Sequence, residues 1–250
     1  MHYGYWPDTL AVRAPNLRQA QQLYTDLLLS HIPPGVSRIL DVGCGSGKVA
    51  EQLLDKGYSV ACVSPPSRLT TRAAERLSGR AVVTQNRYED YDGPGDIDLI
   101  LFSESFQYID MDANFRLSHR LLNPGGYILL CDFFQTDAEG ESPLGGGHFL
   151  RDFYKAVPAD QFTILTDRDI TASIAPTMTL INDLTMNVIK PSGEQLLALL
   201  EDRYPWVYKL LRWKFQKKIK QKLFRHFEGR RTAENFIKYK SYRLILLQKK

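Results

Sequence analysis

Residues 41–47, Asp-Val-Gly-Cys-Gly-Ser-Gly, set one acidic side chain ahead of three glycines at alternate positions. Glycines at this density let a main chain take positive φ and pass flat against a ligand, because no Cβ stands between them. A carboxylate at the head of such a loop can hold a cationic amino group. Three ligand classes use glycine loops between strand and helix, and spacing separates them. A phosphate-cradling loop needs a glycine five residues before a Gly-Lys pair and a Ser or Thr after it. Gly47-Lys48 is such a pair, but Val42 and Val49 occupy the other two positions. A dinucleotide loop that starts at Gly43 requires a glycine where Lys48 stands. What remains is a seat for a cofactor without a pyrophosphate.

The loop needs a strand before it and a helix after it, and the flanking patterns provide both. RILDV (38–42) is an apolar run with the character of a buried strand, and KVAEQLLDKG reads as a helix closed by Gly57. Further strands are expected at 58–64, 81–85, 96–105 and 127–134, with helical segments between them. An earlier helix carries Leu17, Ala20, Leu23, Leu27 and Leu28 at helical spacing, with Asn16 as its cap. Strands alternating with helices predict an α/β fold, a doubly wound, mostly parallel sheet covered on both faces. After residue 135 the rhythm changes to a sixth strand, a mainly helical stretch over 180–228, and a last strand in YKSYRLILLQKK. The expected division is a lid helix over 1–30, a cofactor-binding core over 31–178, a helical basic cap over 179–235, and a final core strand over 236–250.

The 250 residues can bury a sizeable core. No secretory leader or long apolar run stands out, so a cytoplasmic chain is expected. Cys44, Cys62 and Cys131 are odd in number and lack metal-ligand spacing, which points to buried thiols and to no metal site. Asp110, Asp112 and Asn114 read as a helix start rather than a magnesium site.

The stretch LDVGCGSG (40–47) resembles the first motif of the class I S-adenosylmethionine-dependent methyltransferases. Other segments of that superfamily follow in order and at similar spacing over about residues 1–180, and the final strand extends the match. The resemblance implies a Rossmann-like seven-stranded fold with S-adenosylmethionine as cofactor. By it, Gly43, Cys44, Gly45 and Gly47 wrap the methionine portion and Asp41 orients the loop or the amino group. Ser64, followed by Pro65, stands where an acidic residue usually binds the ribose hydroxyls. A serine offers a neutral hydrogen bond in place of a charge-assisted one. Arg87, Tyr88 and Glu89 match the segment over adenine, while Ser103 and Glu104 end the fourth strand and face the transferring methyl.

The opening MHYGYW resembles the N-terminal element of relatives that methylate tocopherols, sterols, sarcosine and macrolide sugars. In that branch Tyr3, Tyr5 and Trp6 would close over the cofactor and favour its sulfonium charge. Methyl transfer needs alignment and, for some acceptors, a base. Glu104 and His148 are the candidates. The implied activity is methyl transfer to O, N or C of a small or lipid-like metabolite.

Charge is divided unevenly. Residues 203–250 carry 16 Lys and Arg against two acids, whereas residues 1–202 carry 16 against 26. Within 206–227, Val207, Leu211, Phe215, Ile219, Leu223 and Phe227 recur every fourth position among lysines and arginines. That is the pattern of a basic amphipathic helix, suited to peripheral contact with an anionic membrane or to attracting an acidic substrate. Nucleic acid is disfavoured as a partner because no recognition motif accompanies the charge. Two alternatives stay open at this point: an RNA methyltransferase that uses the basic helix, and a catalytically inactive partner that only binds S-adenosylmethionine.

Overall fold

The computed structural model describes residues 2–209 and 229–250. Its strands are β1 (Arg38–Val42), β2 (Ser59–Ser64), β3 (Val82–Gln85), β4 (Ile97–Ser103), β5 (Leu122–Gln135), β6 (Phe162–Asp169) and β7 (Lys240–Lys249). They form one sheet in the order β3-β2-β1-β4-β5-β7-β6. The pairs β1–β2, β2–β3, β1–β4 and β4–β5 are parallel, and β7 runs antiparallel to both β5 and β6.

The described helices are α1 (Leu17–Leu29), α2 (Lys48–Asp55), α3 (Arg68–Leu77), α4 (Met111–Leu121), α5 (Leu150–Ala156), α6 (Thr171–Ile174), α7 (Pro176–Leu184), α8 (Lys190–Arg203) and α9 (Ala233–Tyr239). Alternate strand residues point to opposite faces of the sheet and build two cores. Ile39, Leu99, Leu101 and Leu129 meet α1, α2 and α3 through Tyr24, Leu53 and Ala73. Leu40, Ile100, Phe102 and Leu130 meet α4 and α5 through Phe115, Leu121 and Phe153. A sheet covered on both faces accounts for the nearly continuous apolar runs of β1 and β4.

Helix starts follow local chemistry. Ser67 Oγ accepts from the Thr70 amide at 3.1 Å and Asp110 Oδ1 from the Ala113 amide at 2.9 Å, so Asp110 acts as a cap, as its sequence predicts. Asn16 does not cap α1; a 3-10 turn over Ala14–Asn16 leads in, and the Asn16 side chain donates to the carbonyl of Ala11. The three cysteines are buried and unpaired. The last strand begins at Lys240, because Thr232 caps a helix that carries the chain through Tyr239.

The order reverses between β1 and β4, which both pair in parallel at the centre of the sheet. Ligands of open α/β sheets bind beyond the carboxyl ends of the strands at such a switch point. Asp41 is the penultimate residue of β1 there and Glu104 follows β4. Beyond β6, helices α7 and α8 are joined by a π-helical turn over Thr185–Ile189, and α8 buries none of its residues. Most of the basic segment 206–227 lies outside the described residues. Among those described, no helix is long and apolar enough to cross a membrane.

Candidate active site

The glycine loop is bent by its own main chain. Gly43, Gly45 and Gly47 take φ of +79°, +56° and +76°. The Gly43 amide donates to the carbonyl of Val63 at 2.8 Å, which ties the loop to the end of β2. Gly47 opens α2 and sits on α3, where an added Cβ would come within 3.2 Å of Ala73. It therefore shapes the loop from behind and lines neither cavity.

Two cavities flank the loop, of about 780 Å³ and about 270 Å³. Both are lined by Gly43, Gly45, Leu69, Glu104 and Tyr108, so they form one bent channel. The larger adds Asp41, Cys44, Ser103 and His2. The smaller adds Ser64, Pro65, Arg87, Tyr88 and Glu89. Glu89 pairs with Arg87 at 2.9 Å. Burial pushes its carboxyl up, yet its own amide and Arg87 outweigh this and hold it below the ordinary value.

Besides the exposed Glu75, two carboxyls line the larger cavity. Asp41 is 2% exposed, and its Oδ2 is buried without a hydrogen-bond partner. Burial pushes its pKa up to about 7. An unsatisfied buried carboxylate oxygen is costly and calls for a donor from a ligand. Glu104 has φ of +57° and emerges from the end of β4. Its Oε1 accepts from the Tyr3 amide at 2.8 Å and from the Tyr242 hydroxyl at 2.7 Å. Burial again dominates and raises its pKa to about 7, against the pull of those two donors.

Behind Glu104 stands a third carboxyl. Asp132 on β5 is fully buried and accepts from the Gln107 amide at 3.0 Å, the Gln107 side chain at 3.1 Å and the Phe133 amide at 2.8 Å. It fixes the turn over 104–108, and burial raises its pKa to about 7.

The chain crosses α1 at Gly4, where a Cβ would stand 2.6 Å from Ala20 Cβ. Before that crossing His2 lines the cavity, whereas the Tyr3 ring packs inward on Phe236 and Tyr242 and lines neither cavity. His2 stacks on Tyr24 with ring centroids 4.6 Å apart. The expectation that Tyr5 and Trp6 close over the cofactor is corrected accordingly. Trp6 is 4% exposed, with its Nε1 donating to Thr177 Oγ1 at 2.9 Å, and the Tyr5 amide donates to the carbonyl of Ala20. Neither side chain lines the channel.

His148 is also placed elsewhere. Its Nε2 lies 2.9 Å from the carbonyl of Ile109 and its ring meets Phe106 edge-on. With its Nε2 donating to that carbonyl, His148 ties down the loop, and it lines neither cavity. Sequence reasoning did not single out His2, Tyr24, Asp132 or Tyr242, which come from the N-terminal segment, α1, β5 and β7. No group of three or more metal-ligating side chains is found among the described residues.

The donor set fits S-adenosylmethionine. Asp41 Oδ2 lacks a partner, the main chain at Gly45 has room where a Cβ would stand, and Glu104 offers a second carboxyl to a cationic ligand. The methyltransferase domain family profile matches residues 16–168. A methyltransferase of Geobacillus kaustophilus of uncharacterised specificity is 30% identical over 138 residues, which is 51% of this chain and 64% of that protein. The chain thus spans under two thirds of the length of that relative. Among solved structures, a protein of Galdieria sulphuraria provisionally assigned as a sarcosine dimethylglycine methyltransferase superposes with a TM-score of 0.72 at 19% identity, covering 99% of this chain and 92% of that one. Geranyl diphosphate C-methyltransferase of Streptomyces coelicolor, bound to Mg2+, geranyl-S-thiolodiphosphate and S-adenosyl-L-homocysteine, gives 0.71 at 16%, covering 99% and 87%. At these identities the structural likeness is one of fold. The profile match over most of the sheet, together with the glycine loop, makes this chain a member of the methyltransferase domain family, with the class I Rossmann-like fold.

Proposed function

We propose that the protein transfers a methyl group from S-adenosylmethionine to O, N or C of a small or lipid-like metabolite. The observation that carries this reading is the buried, unpartnered Oδ2 of Asp41 beside the glycine cradle, on the same cavity as Glu104. When bound, the cofactor supplies an electrophilic methyl on a positively charged sulfur. Asp41 and the amides of 43–45 would hold its amino acid portion, and Ser64 with the 87–89 turn its nucleoside. Glu104 is the base of this proposal: its side chain lines the cavity, its Oε2 accepts no hydrogen bond among the described residues, and it would take the proton that an O or N acceptor sheds.

Incubating the purified protein with cofactor labelled in the methyl group and with metabolite and lipid extracts tests the reading. Label appearing in a small molecule or lipid, and lost in Glu104→Gln, supports it. Label in RNA would favour nucleic-acid modification, and tight cofactor binding without label transfer would favour an inactive partner.

A second element of the reading concerns place. Leu196, Leu197 and Leu199 of α8 are 49–64% exposed, next in sequence to the basic stretch 206–227. An apolar face beside excess positive charge suits a cytoplasmic protein that meets an anionic membrane carrying its acceptor. Sedimentation with vesicles containing phosphatidylserine, abolished when Lys217, Lys218, Lys220 and Lys222 are replaced by Gln, would support it. Retention of binding in that variant would refute it.

A further inference from the structure

Glu104 is held asymmetrically. Both of its hydrogen bonds fall on Oε1, from the Tyr3 amide and the Tyr242 hydroxyl. Oε2 accepts none among the described residues, is not one of the buried unpartnered atoms, and belongs to a side chain that lines both cavities. Tyr242 is fully buried on β7, 138 residues further along the chain. Its hydroxyl also lies 3.2 Å from that of Tyr24, which donates to the carbonyl of Cys131 at 3.3 Å and lies 3.2 Å from Ser103 Oγ. Helix α1 and strands β4, β5 and β7 thus converge behind a single carboxylate oxygen.

The larger cavity also carries Lys48, Arg72, Arg76 and Glu75, while the cation that acts electrostatically on Glu104 is the terminal amine. His2 is kept largely neutral by burial, which lowers its pKa. Tyr3, Tyr24, Tyr108 and Tyr242 are neutral phenols, each with its pKa raised first by burial. The Cys131 thiol and the Asp132 carboxyl sit behind, also raised by burial, and Asp41 lies on the same cavity. Arg231 acts electrostatically on Tyr3. A cation brought to Oε2 would favour the carboxylate form of Glu104.

We propose that Tyr242 is a positioning residue that, with the Tyr3 amide, fixes Oε1 and presents Oε2 to the cofactor's sulfonium, so that S-adenosylmethionine binds with loss of a proton from Glu104 whereas S-adenosylhomocysteine does not. The step balances simply: the neutral carboxylic acid gives its proton to solvent and becomes the carboxylate that the sulfonium requires. Homocysteine's thioether carries no charge and makes no such demand. The same carboxylate is then ready to take a proton from the acceptor. The inference rests on the methyltransferase reading and assigns Tyr242 and the charge state of Glu104 within it.

Isothermal titration calorimetry tests it with the two nucleosides as probes, between pH 6 and 8, in buffers of different ionisation enthalpy. In the wild type, S-adenosylmethionine should release more protons than S-adenosylhomocysteine, and Glu104→Gln should erase that difference while Asp41 still contributes equally to both. Tyr242→Phe removes one donor to the charged form, so the midpoint of the difference should move up by about one pH unit. Tyr3→Pro removes the other donor, on the N-terminal segment, and should move it the same way, which serves if Tyr242→Phe does not fold. Equal proton release for both ligands in the wild type, or a midpoint unmoved in the folded variants, would overturn the inference. No heat with either ligand would instead sink the methyltransferase reading.

Discussion

A Cβ built on Gly43 would stand 2.4 Å from Cβ of Ser105, which places the glycine loop and the turn after β4 in direct contact. Ser105 is itself fixed, its Oγ donating to the carbonyl of Val42 at 2.5 Å. Gly43→Ala must therefore overcome both positive φ and this clash. A loss of about 2–4 kcal/mol is expected, from left-handed strain plus overpacking. Gly35→Ala has positive φ but open space and should lose about 1–2 kcal/mol. Chemical denaturation of the two variants compares them, and only Gly43→Ala should also lose cofactor binding.

Asp41 couples function to stability with opposite signs. Its folded pKa of about 7 lies above the ordinary value of 3.8, so the folded chain keeps a proton that the unfolded chain sheds. The stability this gives is complete below about pH 4 and is lost as pH rises through about 7. Asp41→Asn should therefore melt higher than wild type at pH 8 without ligand, and the gain should disappear at pH 4. The same variant should bind S-adenosylmethionine about 10–100-fold more weakly, the value of a charged hydrogen bond. Melting curves with and without ligand separate the two effects.

Ser64 is 9% exposed and lines the smaller cavity. Restoring the acidic side chain by Ser64→Asp would replace a neutral hydrogen bond to a ribose hydroxyl by a charge-assisted one. Affinity for S-adenosylhomocysteine should rise about 5–50-fold, an effect of roughly 1–2 kcal/mol. Unchanged or weaker affinity would mean that Ser64 does not meet the ribose.

At the other end of the sheet, Asp98 Oδ2 accepts from the Ser37 amide, the Ser37 hydroxyl and the Arg38 amide, each at 2.9 Å. Burial pushes its pKa up, but these donors prevail and hold it down at about 2. Its contribution is therefore present above about pH 4 and lost as pH falls through about 2. Asp98→Ala should lose about 1–2 kcal/mol at pH 7, a difference that shrinks toward zero near pH 2. Urea melts at the two pH values check this.

The parts of the site that were legible in the sequence are those carried by local spacing. Positive φ at 43, 45 and 47 demands glycine, so the loop writes itself into the chain, and β1, α2 and β2 flank it at readable distances. Tyr24, Asp132 and Tyr242 leave no such trace. Each is an ordinary member of an apolar helix or strand until β7 inserts between β5 and β6 and sets Tyr242 behind Glu104. Tyr5 and Trp6 were misread for a related reason: which residues of an N-terminal aromatic cluster face the cavity depends on where the chain crosses α1, and Gly4 decides that only through its contact with Ala20. His148 looked free because glycines precede it, yet those glycines let the loop fold back onto Phe106 and Ile109.

Binding of S-adenosylmethionine at the glycine loop is the claim from which the assignments of Asp41, Glu104 and Tyr242 all descend. Calorimetric titration of the full chain at pH 7.5 tests it most directly. One site per chain for S-adenosylmethionine and for S-adenosylhomocysteine, both greatly weakened in Gly43→Ala and Asp41→Asn that remain folded, is the result the account predicts. Well-folded protein that gives no heat with either ligand, while a nicotinamide dinucleotide or nucleoside triphosphate does bind, would contradict it.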